Sequence, residues 1–351
     1  MSANINEYVG RQAAWHRAGF VTGEHMSWKG MIELTPKLNY NVYKDQLEYN
    51  GQKVDQWATF RSDNGVLLGP VGKDYAVIQH AYGFDMVDAL MQAQDGAHYE
   101  TAGVLGKGEK VWGLADLSLS INVGDDESKA FLLFSTSHDG SIANSFRIAF
   151  ERVVCENTLM AALRAATTAC FSVRHTKNFQ AKLDNAKIAL AGLSAEALSM
   201  EQKLNFLAGR TVTRESMETV MARLFPNEKD ENGAVSYSTR TRHSLEDLLA
   251  IYELNDGNAF PEQRGTAYNL LNAFTNFTDH KRDTHNKDNG GRAESALFGS
   301  GAKLKSQAFE VIMEAANGMP VKTRTVYAPI PAIAPTASGS LLDAVLDAHG
   351  A

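Results

Sequence analysis

Cysteine is nearly absent from this 351-residue chain, which has only Cys155 and Cys170. Two thiols cannot make a disulfide framework or, by themselves, a four-ligand zinc site. Long apolar runs are missing as well: no segment approaches the ~20 uninterrupted apolar residues of a spanning helix, which argues against a membrane protein. The opening stretch MSANINEYVGRQAAWHRAGF carries Glu7, Arg11 and His16 where a secretory leader needs an apolar core, so the expected location is the cytoplasm of the cell that makes it. Net positive charge is lacking too, with 34 Lys+Arg against 41 Asp+Glu and a formal charge of −7. That balance excludes a protein that draws polyanions over its whole surface and leaves only local binding open. Repeats with a period of 20–50 residues are not found.

What the chain does contain is a folded composition. Sixteen Phe, eleven Tyr and four Trp are too many rings for a solvated chain. The length fits one large domain or two to three smaller ones. Four of the eight prolines, Pro320, Pro329, Pro331 and Pro335, fall together near the end, so VYAPIPAIAPTASGS reads as an extended linker. After it Leu341, Leu342, Val345 and Leu346 repeat at helical spacing, as either a docked terminal helix or a tethered hook for a partner's groove.

The middle of the chain predicts an α+β architecture: an antiparallel, hairpin-rich sheet with helices on one face, followed by a helical segment and the proline-rich tail. Tyr75–Gln79 reads as a short strand, and Phe84 to Met91 as a helix ending near Gly96. HYETAGVL and VWGLADLSL, joined by GKGEK, make a hairpin, while KAFLLFSTS is apolar on both faces and so belongs at the sheet's centre. Ser145 to Val154 supplies another strand. Asn157 or Thr158 then caps a helix bearing Leu159, Ala162, Leu163 and Ala166, and a second helix follows with Phe179, Leu183, Ala186 and Leu190. Farther on, four apolar stripes predict helices around Met217–Leu224, Leu245–Tyr252 (capped by Ser244), Ala267–Phe277 and Leu304–Ala315; DHKRDTHNKDNGGR between the last two reads as a loop. The divisions drawn from these patterns are 1–69 as an α/β lead-in, 70–200 as the α+β core, 201–319 as the helical segment and 320–351 as the tail.

The chemistry sits where acid is missing. From Asn157 to Leu183 there is no Asp or Glu, while Arg164, Arg174, Lys177, Lys182 and His175 are present. The preceding strand adds Arg147 and Arg152 among Phe146 and Phe150, and the hairpin turn adds Lys107 and Lys110. Cations interleaved with rings suit single-stranded nucleic acid, in which phosphates are neutralised and unpaired bases stack. Arg147 and Arg152 differ by an odd number, so a regular strand points them to opposite faces unless a bulge intervenes. Pairing of these arginines with Glu151 or Glu156 is the competing structural explanation. His138, Asp139, Cys155 and His175 sketch a thiol hydrolase, with the Cys155 thiol at a strand-to-helix junction, although a Cys beside Val153 and Val154 is more simply a small buried hydrophobe. His138-Asp139-Gly140 reads as a turn. Gly106-Lys107-Gly108 lacks the strand-to-helix context and Ser/Thr of a phosphate loop. No metal-ligand spacing and no catalytic set stand out, and no cofactor is implied.

WHRAGF, DYAVIQH, TAGVLGKGEKVWGLADL, STSHDGS, RVVCENTL and RHTKNF together resemble the phage- and plasmid-encoded family known as domain of unknown function 932, from about Trp15 to Leu193. More distantly, the sheet-plus-helix core resembles the phage single-strand annealing proteins of the Redβ, RecT and Erf kind, which assemble into rings or filaments on single-stranded DNA. That second resemblance is a likeness of fold. It implies a non-enzymatic, oligomeric DNA-binding and annealing protein of a mobile element. Lys107, Lys110, Arg147, Arg152, Arg164, Arg174, His175 and Lys177 would line a groove between hairpin and helices. The C-terminal helix would reach a phage or host replication or recombination protein. The alternatives are a protein-interaction module, such as a host-defence antagonist, and the Cys155/histidine hydrolase.

Overall fold

A computed structural model describes residues 5–10, 20–21, 27–34, 38–92, 95–152, 158–160, 170–175, 193–225, 228–229, 235–254, 260–282, 295–296 and 299–322. Within them the chain is α+β, with sheets antiparallel except for the edge pair of the first two strands, and seven α-helices. Strands β1 (Ile5–Gly10) and β2 (Phe20–Val21) come first, followed by α1 (Trp28–Leu34) and a three-stranded antiparallel sheet of β3 (Val42–Tyr49), β4 (Gln52–Arg61) and β5 (Leu67–Val71). Helix α2 (His80–Gln92) leads into a meander of β6 (His98–Leu105), β7 (Lys110–Val123), β8 (Asp126–Ser137) and β9 (Asn144–Arg152). Short strands β10 (Thr158–Met160) and β11 (Cys170–Val173) share the outer edge of β9, and the large sheet runs β10-β9-β8-β7-β6-β1-β2.

The predicted hairpin is β6–β7. Its turn needs backbone that L-residues rarely adopt, and Gly106 and Gly108 supply it with φ of 64° and 101°. KAFLLFSTS lies in β8 between β7 and β9, and Ala130 to Phe134 are all buried, as its two-faced apolar character requires. Helix α2 packs on β7 and β8 because its contact face is small where the sheet is large: Gly83 has no room for a Cβ beside Phe134, and Phe84 in turn fills the space over Gly113. Trp28 stacks on Phe84 at 5.0 Å and closes that face.

Helices α3 (Leu193–Ala208), α4 (Arg214–Leu224), α5 (Thr239–Leu254), α6 (Ala267–Asn276) and α7 (Ser300–Ala316) form the helical body. Every residue of α6 is buried, which makes it the central helix of that body. The body docks on the β7–β8 turn. Tyr268 Oη donates to buried Asp126 at 2.9 Å, Gln263 donates to Val123 O, and Asn205 donates to Asn122 O. One hydrophobic core therefore runs from Trp28 to Met319. The divisions drawn at 69/70 and 200/201 fall inside β5 and α3.

Three local expectations are corrected. Tyr75–Gln79 is not a strand, because its polar groups are satisfied singly: Gln79 bridges the N–H and C=O of Val42, Ala76 N–H donates to His175 O, and Tyr75 O accepts from Lys44 Nζ. Thr158–Met160 pairs with the open edge of β9 as a strand rather than starting a helix. Helix α5 begins five residues before Ser244; Ser238 Oγ accepts from Thr241 N–H at its start, and Ser244 Oγ donates to Arg240 O inside it. The helix expected from Phe179 to Leu190 and the tail with Leu341, Leu342, Val345 and Leu346 lie outside the described residues.

Candidate nucleic-acid interface

The helix α6 does not stop cleanly. Phe277–Lys281 continue it as a π-helical turn, closed by Arg282 N–H on Phe277 O at 2.7 Å. Single π turns re-aim the residues that follow and recur at functional sites. A buried ion pair holds this one in place: Lys305 Nζ donates to Asp279 Oδ1 at 2.6 Å, with side chains 0% and 4% exposed. Because Lys305 engages the Asp279 carboxylate, Lys281 and Arg282 emerge from the turn beside an acid that is already neutralised.

They emerge into a cleft of about 760 Å³ between the end of α4, the start of α5, the π turn and the first turns of α7. Leu224, Phe225, Phe277 and Leu304 give it an apolar floor, while Arg240, His243, Lys281, Arg282 and Lys303 line it with cationic or cation-capable groups. One carboxylate, Asp247, opposes four Lys/Arg. Burial, followed by the charge of Arg240, lowers the pKa of the Arg282 guanidinium below its usual value. Arg282 Nη1 is positioned by Ser300 Oγ at 3.2 Å. Helices α5 and α7 both begin at this cleft without an acid in the first turn. Cations there oppose the helix dipole at roughly 0.3–1 kcal/mol each, a penalty that a bound anion would reverse. The cleft thus gathers cations at two helix starts, and the half-buried ring of Phe225 in its floor stacks on Phe274 at 6.3 Å.

A second nitrogen-rich cluster lies under the sheet. His80 Nδ1 meets His138 Nε2 at 3.2 Å, and His80 Nε2 donates to Leu38 O at 2.9 Å. His175 Nε2 lies 3.3 Å from Thr136 Oγ1, and its ring stacks on Tyr75 at 4.8 Å. The Nδ1 of His138 is buried without a hydrogen-bond partner among the described residues. Burial lowers the pKa of His80 and His175 to about 4 each, and burial with the two neighbouring histidines lowers that of His138 further below its ordinary value. These imidazoles are neutral.

That corrects one expected phosphate contact, since His175 is 7% exposed and uncharged at neutral pH. Lys107 is exposed at the hairpin turn, where its N–H donates to Glu109 and its C=O accepts from Arg61. Lys110 is half-buried, and Arg174 is exposed. Arg147 is half-buried opposite Leu133, with its Nε buried and unbonded among the described residues. The β8–β9 register runs without a shift from Ser128↔Arg152 to Ser135↔Ser145, so no bulge brings positions 147 and 152 to one face. The Arg152 side chain, Arg164, Lys177 and Cys155 lie outside the described residues. His138-Asp139-Gly140 is the expected turn, with Asp139 Oδ1 accepting from Ser141 N–H and Oγ.

Sequence reasoning missed the cleft. Its signal was present in TRTRHS, where Arg240, Arg242 and His243 crowd a helix start that ordinarily favours acids. The family model described as Domain of unknown function (DUF932) matches residues 67–297, which contain the cleft apart from its α7 wall. No curated protein and no solved structure matches the chain.

Proposed function

The chain belongs to the DUF932 family, and from that footing we propose that it is a non-enzymatic protein of a phage or plasmid that binds single-stranded DNA and promotes strand annealing. The observation that carries this reading is the cleft in which Arg240, Lys281, Arg282 and Lys303 face one carboxylate. Its cations take the phosphates of an extended strand without reading base edges, which gives affinity without sequence preference and leaves bases available for pairing. The chain's net charge of −7 confines that attraction to the cleft and to other exposed cations such as Lys107 and Arg174. The resemblance to annealing proteins carries over a ring or filament of this chain in the host cytoplasm as the working species, with the C-terminal segment reaching a replication or recombination partner. Among the described residues no helix is long and apolar enough to cross a membrane.

Anisotropy of a labelled oligothymidine tests the reading. Four phosphate contacts predict a slope of log affinity against log salt of about −3, equivalent to roughly 50-fold weaker binding between 50 and 200 mM salt. Lys281→Glu with Lys303→Glu should weaken binding by more than tenfold. Absence of binding at 50 mM salt, or binding indifferent to salt and to both substitutions, removes the cleft as a nucleic-acid site.

A further inference from the structure

At the far end of the β6–β7 hairpin from its glycine turn, both strands are irregular at the same level. The register shifts between Tyr99 and Thr101 on β6 and between Asp116 and Leu119 on β7, where Ser118 takes a φ of 50°. Bulges re-aim side chains. Here His98 lies directly opposite Asp116, and Glu100 occupies the irregular position beside them. One donor atom from each of the three residues comes within 4.8 Å of the other two.

We propose that His98, Glu100 and Asp116 bind a divalent first-row transition ion, Zn²⁺ or Mn²⁺. The imidazole is oriented as a ligand. His98 Nδ1 is 3.1 Å from Gly96 O, a carbonyl that can only accept, so Nδ1 carries a proton and Nε2 is the ring nitrogen turned toward the carboxylates. His98 Nε2 and Glu100 Oε2 are 3.8 Å apart, too far for a hydrogen bond. Metal bonds of about 2.1 Å at tetrahedral or octahedral angles put ligand atoms roughly 3.0–3.5 Å apart, a small closure from that separation. Ser118 N–H donates to Asp116 Oδ1 at 2.7 Å and fixes that carboxylate's orientation. The site is partly shielded yet reachable, with Asp116 buried and the His98 and Glu100 side chains 14% and 16% exposed. One imidazole with two carboxylates suits zinc or manganese, whereas magnesium and calcium favour oxygen-only shells. Three protein ligands leave at least one coordination position for water or an incoming group.

Calorimetric titration of the full chain, stripped with chelator and dialysed, decides the matter with ZnCl₂ and MnCl₂ in separate runs and MgCl₂ as control. The expected result is one Zn²⁺ or Mn²⁺ per chain with micromolar affinity, little heat from Mg²⁺, and at least tenfold weaker binding in His98→Gln and in Glu100→Gln. Circular dichroism would establish that both variants are folded, and Glu100→Gln replaces a largely buried side chain by its isostere. If neither ion saturates the protein, the three residues are an imidazolium held between two acids and the proposal fails. Wild-type affinity in both variants overturns it equally.

Discussion

The cleft of the helical body presents Arg240, Lys281 and Lys303 at exposed positions, whereas the interior beneath β8 holds His80, His138 and His175 at 2%, 0% and 7% exposure. Both regions concentrate nitrogen, but only one concentrates charge. In the cleft, solvent sustains the cations and Asp279, the acid beside them, is already bound to Lys305. Under the sheet, desolvation outweighs the basicity of imidazole and the rings stay neutral. Placement, rather than residue type, separates a surface that keeps its charge from a core that resists protonation.

Acid should test that contrast most severely. His80 and His175 have folded pKa values of about 4 against about 6.5 in an unfolded chain, so the unfolded state binds more protons between those limits. Neither histidine makes this contribution a burden above pH 6.5. As pH falls through 6.5 stability drops, and the loss is complete near pH 4, on the order of 3 kcal/mol for each ring. Urea unfolding at pH 7.5, 6 and 5 should show a steady decline, and the interval above pH 5 isolates histidines from most carboxylates. His175→Phe, which retains a ring against Tyr75, should remove a large part of the slope. A stability profile flat from pH 7.5 to 5 would mean that the cluster is not kept neutral by burial.

Lys305 sits between the two regimes, since it is fully buried yet ion-paired. Lys305→Ala strands the Asp279 carboxylate in the core and should cost about 3–5 kcal/mol in chemical denaturation. The double variant Lys305→Met with Asp279→Leu removes both charges and should recover much of that loss. If the single and double variants are equally destabilised, packing rather than charge pairing holds the π turn.

The clearest elements in the sequence were those fixed by short-range pattern. The β6–β7 hairpin followed from two β-prone runs around Gly106 and Gly108, and β8 from a run apolar on both faces. The stripes at Met217, Leu245, Ala267 and Leu304 marked α4 to α7 by helical spacing. Elements decided by distant partners escaped: Thr158–Met160 is a strand because β9 offers an edge, and Tyr75–Gln79 is not one because Val42, Lys44 and His175 satisfy its polar groups one by one. The family resemblance was legible in motifs spread over half the chain, and the family model matches residues 67–297. The cleft was not. Its cations come from three separated places, Arg240 and His243, Lys281 and Arg282, and Lys303, and only tertiary packing makes them one surface. The charge count that excluded a general polyanion binder could not reveal such a convergence.

The smallest expected effect separates a binding surface from an ordinary helix end. Arg240 lies in the first turn of α5, where its charge opposes the dipole, and it helps to lower the pKa of the Arg282 guanidinium. Natural stability would favour an acid there. Arg240→Glu should therefore stabilise the fold by about 0.3–1 kcal/mol, a rise of roughly 0.5–1.5 °C in melting temperature, through the dipole and through attraction to Arg282. The same substitution places a negative group in the path of phosphate and should weaken oligonucleotide binding about tenfold. Melting and anisotropy on one preparation read both quantities. Gain of stability with loss of binding is the signature of a residue retained against local preference for a ligand. Loss of stability would assign Arg240 a packing role, and the case for the cleft would then rest on Lys281, Arg282 and Lys303.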